Sequence, residues 1–263
     1  MNFIQDEDSQ QLQEMYRDFA EKEVKPIAKE IDESMRFPSE NIPKMAEMGL
    51  LGIPFPEEFG GAGMTTLSYI QCVEELSKVC ATTGVIVSAH TSLCATPIYT
   101  YGTDAQKEKY LKPLASGEQL GAFALTEPVA GTDASMQKST AVLEGDHYVL
   151  NGSKIFITNA GFADVYIVFA MTDKSKGTKG ISAFILEKDF PGFSVGTHEV
   201  KMGIRGSSTC ELFFDNCIVP KENLLGEEGR GFNIAMATLD GGRIGVAAQA
   251  LGIAEGAIEE TIK

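Results

Sequence analysis

Apolar residues recur at helical spacing through the first third of the chain. From Ser9 onward, Leu12, Met15, Phe19, Ala20, Val24, Ile27 and Ile31 fall on one side of a helix. Asp8 or Ser9 is placed to cap its start. Pro26, inside the pattern, predicts a kink or a break. A short apolar helix is expected near 42–50, closed by Gly49 and Gly52, and a turn-rich stretch runs from Pro54 to Gly63. A third helix over 65–79 carries the stripe Leu67, Ile70, Val73, Leu76 and Val79. Residues 84–101 are apolar nearly all round, the pattern of a helix at the centre of its domain. Thr103 and Asp104 then cap a charged helix over 105–114.

Near Gly117 the period changes from helical to alternating. Strands are expected over 140–150, 154–158, 165–171, 181–186, 193–196 and 209–219. Asn151-Gly152 between the first two is a hairpin signal, and the segment from Asp173 to Gly180 reads as another turn. No helix separates these strands, so the expected sheet is antiparallel, a barrel or sandwich. Helical spacing returns after Pro220, and 231–263 reads as one helix with Ile244, Val246, Ala247, Leu251, Ile253, Ala254, Ile258 and Ile262 apolar on more than one face. That stripe has no closing Gly or Pro and stops in mid-period at Lys263, so the chain is expected to be cut inside the first helix of a third, helical domain.

Composition narrows the function classes. The net charge of −15, from 22 basic and 37 acidic residues, argues against a general nucleic-acid binder but leaves room for a local basic pocket. No run of 18 apolar residues indicates a membrane span. The acidic start, from Met1 to Asp8, lacks the regions of a signal peptide. Five cysteines without a CxxC read as reduced core thiols of a cytoplasmic protein. The Rossmann, P-loop, HExxH and GxSxG signatures are absent, and the three histidines are far apart, so no metal site is expected. Gly60-Gly61-Ala62-Gly63 reads as a flexible turn, and Ser207-Ser208-Thr209 as a strand start.

Three stretches can carry chemistry, each beside a plainer account. The run from Phe123 to Asp133 ends in a turn of small residues whose backbone groups and threonine hydroxyls suit a polar heteroaromatic ligand with an anionic tail; a simple strand and turn explains it equally. Phe156 and Thr158 share one face of a strand, suiting a flat ring with a polar edge; a core Phe beside a surface Thr is the alternative. Gly241-Gly242 within a helix costs about 2 kcal/mol in propensity, which points to a close approach to the backbone. Arg243, in apolar surroundings, then needs an anionic partner, either a ligand or an intramolecular carboxylate.

Four runs, in order, resemble the acyl-CoA dehydrogenase family: Thr126 to Asp133 (T-E-P-x-A-G-[ST]-D), Lys154 to Asn159 (K-x-[WF]-I-T-N), Met202 to Glu211 (M-G-x-R-x-S-x-T-x-E) and Val219 to Gly226 (V-P-x-E-N-x-[LI]-G). The stretch from Leu239 to Gly245 is most similar to the short-chain, butyryl-CoA-type members of anaerobic bacteria. The resemblance covers the whole chain. It implies an α+β architecture: N-terminal helices over 1–118, a middle antiparallel β-barrel or sandwich domain over 119–228, and over 229–263 the first helix of a C-terminal bundle. It implies FAD bound non-covalently. Phe123, Leu125 and Thr126 would line the flavin edge, Thr132 would reach the pyrophosphate or the CoA part, Phe156 would lie by the ring, and Thr158 would donate to the flavin's reactive nitrogen. Asp240 and Arg243 would sit on the acyl-CoA side. It further implies α,β-dehydrogenation of an acyl-CoA, electron transfer to an electron-transferring flavoprotein, and a homotetramer.

The sequence departs from the family in its catalytic base. The usual glutamate motif (Y-E-G-T-like) is absent, and at the alternative position just before Arg243 this chain has Gly242. The base is therefore expected beyond residue 263, and this chain alone is expected to have little dehydrogenase activity. The acyl pocket is expected along 84–100, with Ser88, His90, Thr91 and Leu93, His90 reading more readily as a packed histidine than as a chain-length determinant. Two other functions compete: a non-catalytic FAD or acyl-CoA binding or interaction module, and a flavin oxidase or monooxygenase on the same fold.

Overall fold

The structure, a computed structural model, describes residues 7–263. Most of the acidic start read above, residues 1–6, lies outside them. The first helix, α1 (Glu7–Phe19), continues through a π turn (Ala20–Val24) into α2 (Lys25–Ser34). Pro26 therefore does not break it. The widened turn sits just before the proline, and the Lys25 amide reaches back to the Ala20 carbonyl. Asp8 and Ser9 lie inside α1 rather than capping it. The buried stripe is Tyr16, Phe19, Ala20, Val24 and Ile31, while Met15 faces outward. After α3 (Asn41–Glu47), α4 (Thr66–Val79) starts at Thr65, whose hydroxyl accepts the Ser68 amide. Of its expected stripe, Leu67 is exposed.

The central helix is α5 (Ala81–Ser88), a π segment (Ala89–Ala95) and α6 (Thr96–Tyr101). It is buried on nearly every side, as its composition required. Thr103 forms a capping box with Gln106 at α7 (Asp104–Gln106), and a third π stretch (Lys107–Leu111) leads to α8 (Lys112–Ala115).

The sheet contains β1 (Gly121–Ala124), β2 (Thr140–Glu144), β3 (His147–Ile157), β4 (Val165–Met171), β5 (Ile181–Glu187), β6 (Phe193–His198), β7 (Cys210–Pro220) and β8 (Leu224–Leu225). Its order is β6-β7-β3-β2-β4-β5-β8, with β1 beside β4. The expectation of a purely antiparallel sheet needs correction, because β1 and β2 both pair with β4 in parallel. A parallel pair needs a crossover, and here the β2–β3 excursion supplies it in place of a helix. The hairpin turn is also displaced. It lies at Gly145-Asp146, between Glu144 and His147, and Asn151-Gly152 sits inside β3. There Gly152 (φ +143°) stands opposite a bulge whose extra residue lies on β7, with the Asn151 Oδ1 accepting the Asn216 amide at 2.9 Å.

β4 and β5 are buried on both faces and read as continuous apolar runs. One face, with Ile167, Phe169 and Ile185, packs on Cys94, Ile98, Leu114, Ile234 and Ala235 of the helices. The other, with Tyr166, Val168 and Phe184, packs on Tyr148, Leu150, Leu212 and Phe214 of the neighbouring strands. The last helix, α9 (Gly231–Ile262), crosses both the sheet and α4. Small residues let it sit close: a Cβ at Gly252 would lie 2.2 Å from the Glu74 carbonyl oxygen, and one at Gly256 2.1 Å from that of Lys78. Its outer residues Ile244, Val246, Leu251, Ile253, Ile258 and Ile262 are exposed. All five cysteines are free and buried. Among the described residues no helix is long and apolar enough to cross a membrane.

Candidate functional site

A cavity of about 430 Å3 opens where the central helix, the sheet and α9 meet. Its volume is in the range of small-molecule sites. Six residues singled out from the sequence line it: Phe123, Leu125, Thr126, Thr132, Phe156 and Thr158. Phe123 and Leu125 come from β1 and its exit, Thr132 from the turn that follows, and Phe156 from the end of β3.

The strand alternation that put Phe156 and Thr158 on one face is not how they meet. The β3–β7 register shifts between Lys154 and Ile157, and Phe156 takes φ +59°. That bulge turns the Phe156 ring outward, leaving the residue 59% exposed, a conformation a bulky side chain rarely adopts. Thr158 lies just past β3, in a turn held by Asn159 (φ +67°), whose Nδ2 donates to the carbonyls of Ile86 (3.1 Å) and Gly121 (3.2 Å). An exposed aromatic face bordered by threonine hydroxyls fits a flat heteroaromatic ring with a polar edge.

Arg243 reaches the same cavity from α9, but it is not the buried cation its apolar neighbours implied. Its side chain is 76% exposed, and Asp240, one helical turn earlier, stands 3.6 Å away at 79% exposure. This stretch of α9 faces outward, so the pair stays hydrated and leaves the guanidinium free for a ligand. Asp240 does not line the cavity. The expected close approach at Gly241-Gly242 holds for Gly242 alone: a Cβ there would meet Leu93 Cδ2 at 2.6 Å, while Gly241 has open space.

A second cavity, of about 390 Å3, lies beside it between α4, the central helix and α9, lined among others by Tyr69, Thr91, Ser92, Tyr99 and Ile244. Of the four residues expected along the acyl pocket, Thr91 lines this cavity and Leu93 the first. Ser88 and His90 line neither. His90 is fully buried, with Nε2 3.1 Å from the Leu114 carbonyl and Nδ1 accepting the Gly121 amide at 3.0 Å. Burial pulls its pKa down to about 4, so the ring is neutral and packed.

Sequence reasoning missed Phe232 and Met236 on the cavity wall, ordinary apolar residues that carry no signal of their own, and it gave Ala89 and Leu239 no role within the stretches it singled out. It also missed a buried ion pair close by. Lys154 Nζ donates to Glu127 Oε1 at 2.7 Å, with side-chain exposures of 0% and 2%. Burial lowers the Lys154 pKa to about 8 against the pull of Glu127. Burial pushes Glu127 upward, but the Lys154 charge and its hydrogen bonds to Lys154 and to Lys138 and Ser139 outweigh it and hold its pKa below the usual value. Alternation held the clue: Lys154 falls in step with Tyr148 and Leu150, on the inward face of β3.

Three family models match in succession: the acyl-CoA dehydrogenase N-terminal domain over residues 6–118, the middle domain over 122–217 and the C-terminal domain over 229–263. A short-chain specific acyl-CoA dehydrogenase of Clostridium acetobutylicum is 65% identical over 260 residues, which is 99% of this chain and 69% of that protein. The chain belongs to the acyl-CoA dehydrogenase family. The acyl-CoA dehydrogenase fold follows in the solved structures. Butyryl-CoA dehydrogenase from Megasphaera elsdenii superposes with a TM-score of 0.97 at 55% identity, covering 100% of this chain and 70% of that one. A chain from the structure of the electron transferring flavoprotein of Acidaminococcus fermentans does so with a TM-score of 0.97 at 62% identity, covering 98% and 68%. The first cavity draws on all three matched acyl-CoA dehydrogenase segments: Ala89 and Leu93 from the first, Phe123 to Thr158 from the second, and Phe232 to Arg243 from the third.

Proposed function

We propose that the chain holds FAD in the first cavity and serves the α,β-dehydrogenation of a short-chain acyl-CoA to its trans-2-enoyl-CoA, with electrons leaving to an electron-transferring flavoprotein. The observation that carries this reading is the outward-turned Phe156 ring, set by a positive φ beside Thr126 and Thr158 in one cavity. Family membership supports the cofactor, and the names of the relatives support the acyl length and the electron acceptor.

When bound, FAD supplies the acceptor for the hydride leaving the substrate's β-carbon. The chain's own residues would hold and orient the group. Phe156 would give the ring an aromatic face, and the Thr126 and Thr158 hydroxyls would donate to its polar edge. Thr132 and the exposed Arg243 would meet the anionic CoA or pyrophosphate part, with Asp240 beside Arg243 on the acyl-CoA side. In a chain of net charge −15, Arg243 is a local cation that draws an anion to this opening.

Removing the α-proton needs a base whose pKa is raised toward neutrality. Among the residues lining the first cavity the one carboxylate is Asp133. Hydrogen bonds from the Ser135 hydroxyl and amide hold its pKa below the usual range, the wrong direction for this task. The base is accordingly assigned outside these residues. The same reading divides the chain at 118/119 and 228/229, and places the whole protein in the cytoplasm as a homotetramer.

An anaerobic titration of the FAD-loaded chain with butyryl-CoA, followed by flavin absorbance, tests the assignment. FAD is expected to bind, and the flavin is expected to stay oxidised. Prompt bleaching would show that a residue within 1–263 is the base. Failure to take up FAD would sink the flavin reading.

A further inference from the structure

The Lys154–Glu127 pair lines neither cavity, yet it binds together the parts of the first cavity's wall. Lys154 Nζ donates to the Leu125 carbonyl (3.2 Å) and to Gln137 Oε1 (3.1 Å) as well as to Glu127. Glu127 Oε2 accepts the amides of Lys138 (2.6 Å) and Ser139 (3.3 Å). Leu125 and Thr126 immediately precede Glu127, and Phe156 stands two residues after Lys154. The Ile155 amide adds a bond to the Thr126 carbonyl at 2.9 Å. One desolvated pair thus ties the exit of β1, the far end of the 127–139 loop and the β3 bulge to one another.

Stability alone does not explain such a pair. Well-packed apolar residues of similar volume serve stability as well or better, and no group of the reaction requires Lys154 or Glu127 as a reactant. We propose that Lys154 and Glu127 are a positioning pair, which fixes the separation and angle of Thr126 on one side of the flavin site and Phe156 and Thr158 on the other. The role rests on the flavin reading above and concerns how that site is held in register. Without the pair, the backbone bond from Ile155 to Thr126 is left to hold the β1 exit against the strained β3 bulge.

The test is an FAD titration of three apoproteins: wild type, the neutral double variant Lys154→Met/Glu127→Gln, and Gln137→Met. The Gln at 127 keeps an acceptor for the Lys138 and Ser139 amides. Thermal melting reports on the fold. The visible circular dichroism and the reduction potential of the bound flavin report on its surroundings, which a purely structural role would leave unchanged. The double variant is expected to melt near the wild type yet bind FAD about 10–100-fold more weakly, the loss that metal sites show when the residues supporting their ligands are removed. Its bound flavin should show altered circular dichroism and a shifted potential. Gln137→Met, which keeps both charges, is expected to show the same changes in lesser degree, and it carries the test if the double variant does not fold. Wild-type affinity, potential and circular dichroism in the variants would overturn the proposal. So would weaker binding that merely follows a lower melting temperature, with the bound flavin's spectrum and potential unchanged. If the wild type takes up no FAD, the flavin reading fails first and the positioning role falls with it, a result distinct from either of the others.

Discussion

On the sheet side of the first cavity, Lys154 and Glu127 meet at 2.7 Å with almost no exposure; on the helix side, Arg243 and Asp240 stand 3.6 Å apart, both more than three-quarters exposed. The charges are of the same kind, but the surroundings reverse their use. Out of water, an ammonium and a carboxylate must satisfy every bond they can make, so they also seize the Leu125 carbonyl and two loop amides and become tethers. In water, Arg243 gains little from Asp240 and remains free to meet an incoming anion. One wall is tied into shape by its charges and the other leaves a cation in water. Between them, neutral His90 joins the central helix to the start of β1 without facing either cavity.

The contrast breaks most sharply at Lys154. Lys154→Met alone strands a buried carboxylate and should cost about 3–5 kcal/mol in a denaturant melt; a loss under 1 kcal/mol would mean that water reaches Glu127. His90 comes next. The unfolded chain takes a proton near pH 6.5, whereas the folded ring refuses it until about pH 4. Its contribution is therefore complete above pH 6.5 and fades as the pH falls toward 4, by about 3 kcal/mol in all. Comparing the pH dependence of stability in wild type and His90→Gln isolates that slope, and equal slopes would contradict the buried neutral ring. Gly252→Ala drives a methyl into the Glu74 carbonyl and should destabilise by about 1–2 kcal/mol, an overpacking cost partly offset by helix propensity; a gain in stability would show that α9 can lift from α4. Smallest is Asp240→Asn, expected within about 0.5 kcal/mol of wild type. A loss above 1 kcal/mol there would erase the distinction between the two pairs.

Much of this arrangement was readable before any coordinates. β4 runs over the very residues expected for it, although it is buried on both faces and its sequence is an unbroken apolar run rather than an alternation. The six residues expected around the flavin do line one cavity. What eluded the sequence depends on partners distant along the chain. Asn151-Gly152 is a good turn pair in isolation, but β3 runs on through it, opposite a bulge in β7. β1 pairs with β4 in parallel and packs on the central helix, and neither contact shows in either strand's own pattern. Arg243 looked buried among apolar neighbours, yet one side of α9 stays open at that turn. Lys154 is the instructive case: its place in the alternation marked it as inward, and its charge concealed that.

The five buried thiols give this architecture an internal clock. Only the thiolate reacts with alkylating reagents, and burial pushes the pKa of Cys94 and Cys217 up to about 12. In the closed protein both are inert at neutral pH, so each can be labelled only in the moments when its surroundings come apart. Cys94 sits in the central helix against β1, and Cys217 in β7 at the far side of the sheet. Their separate labelling rates would time how often the helical half and the outer strands open, and whether they open together.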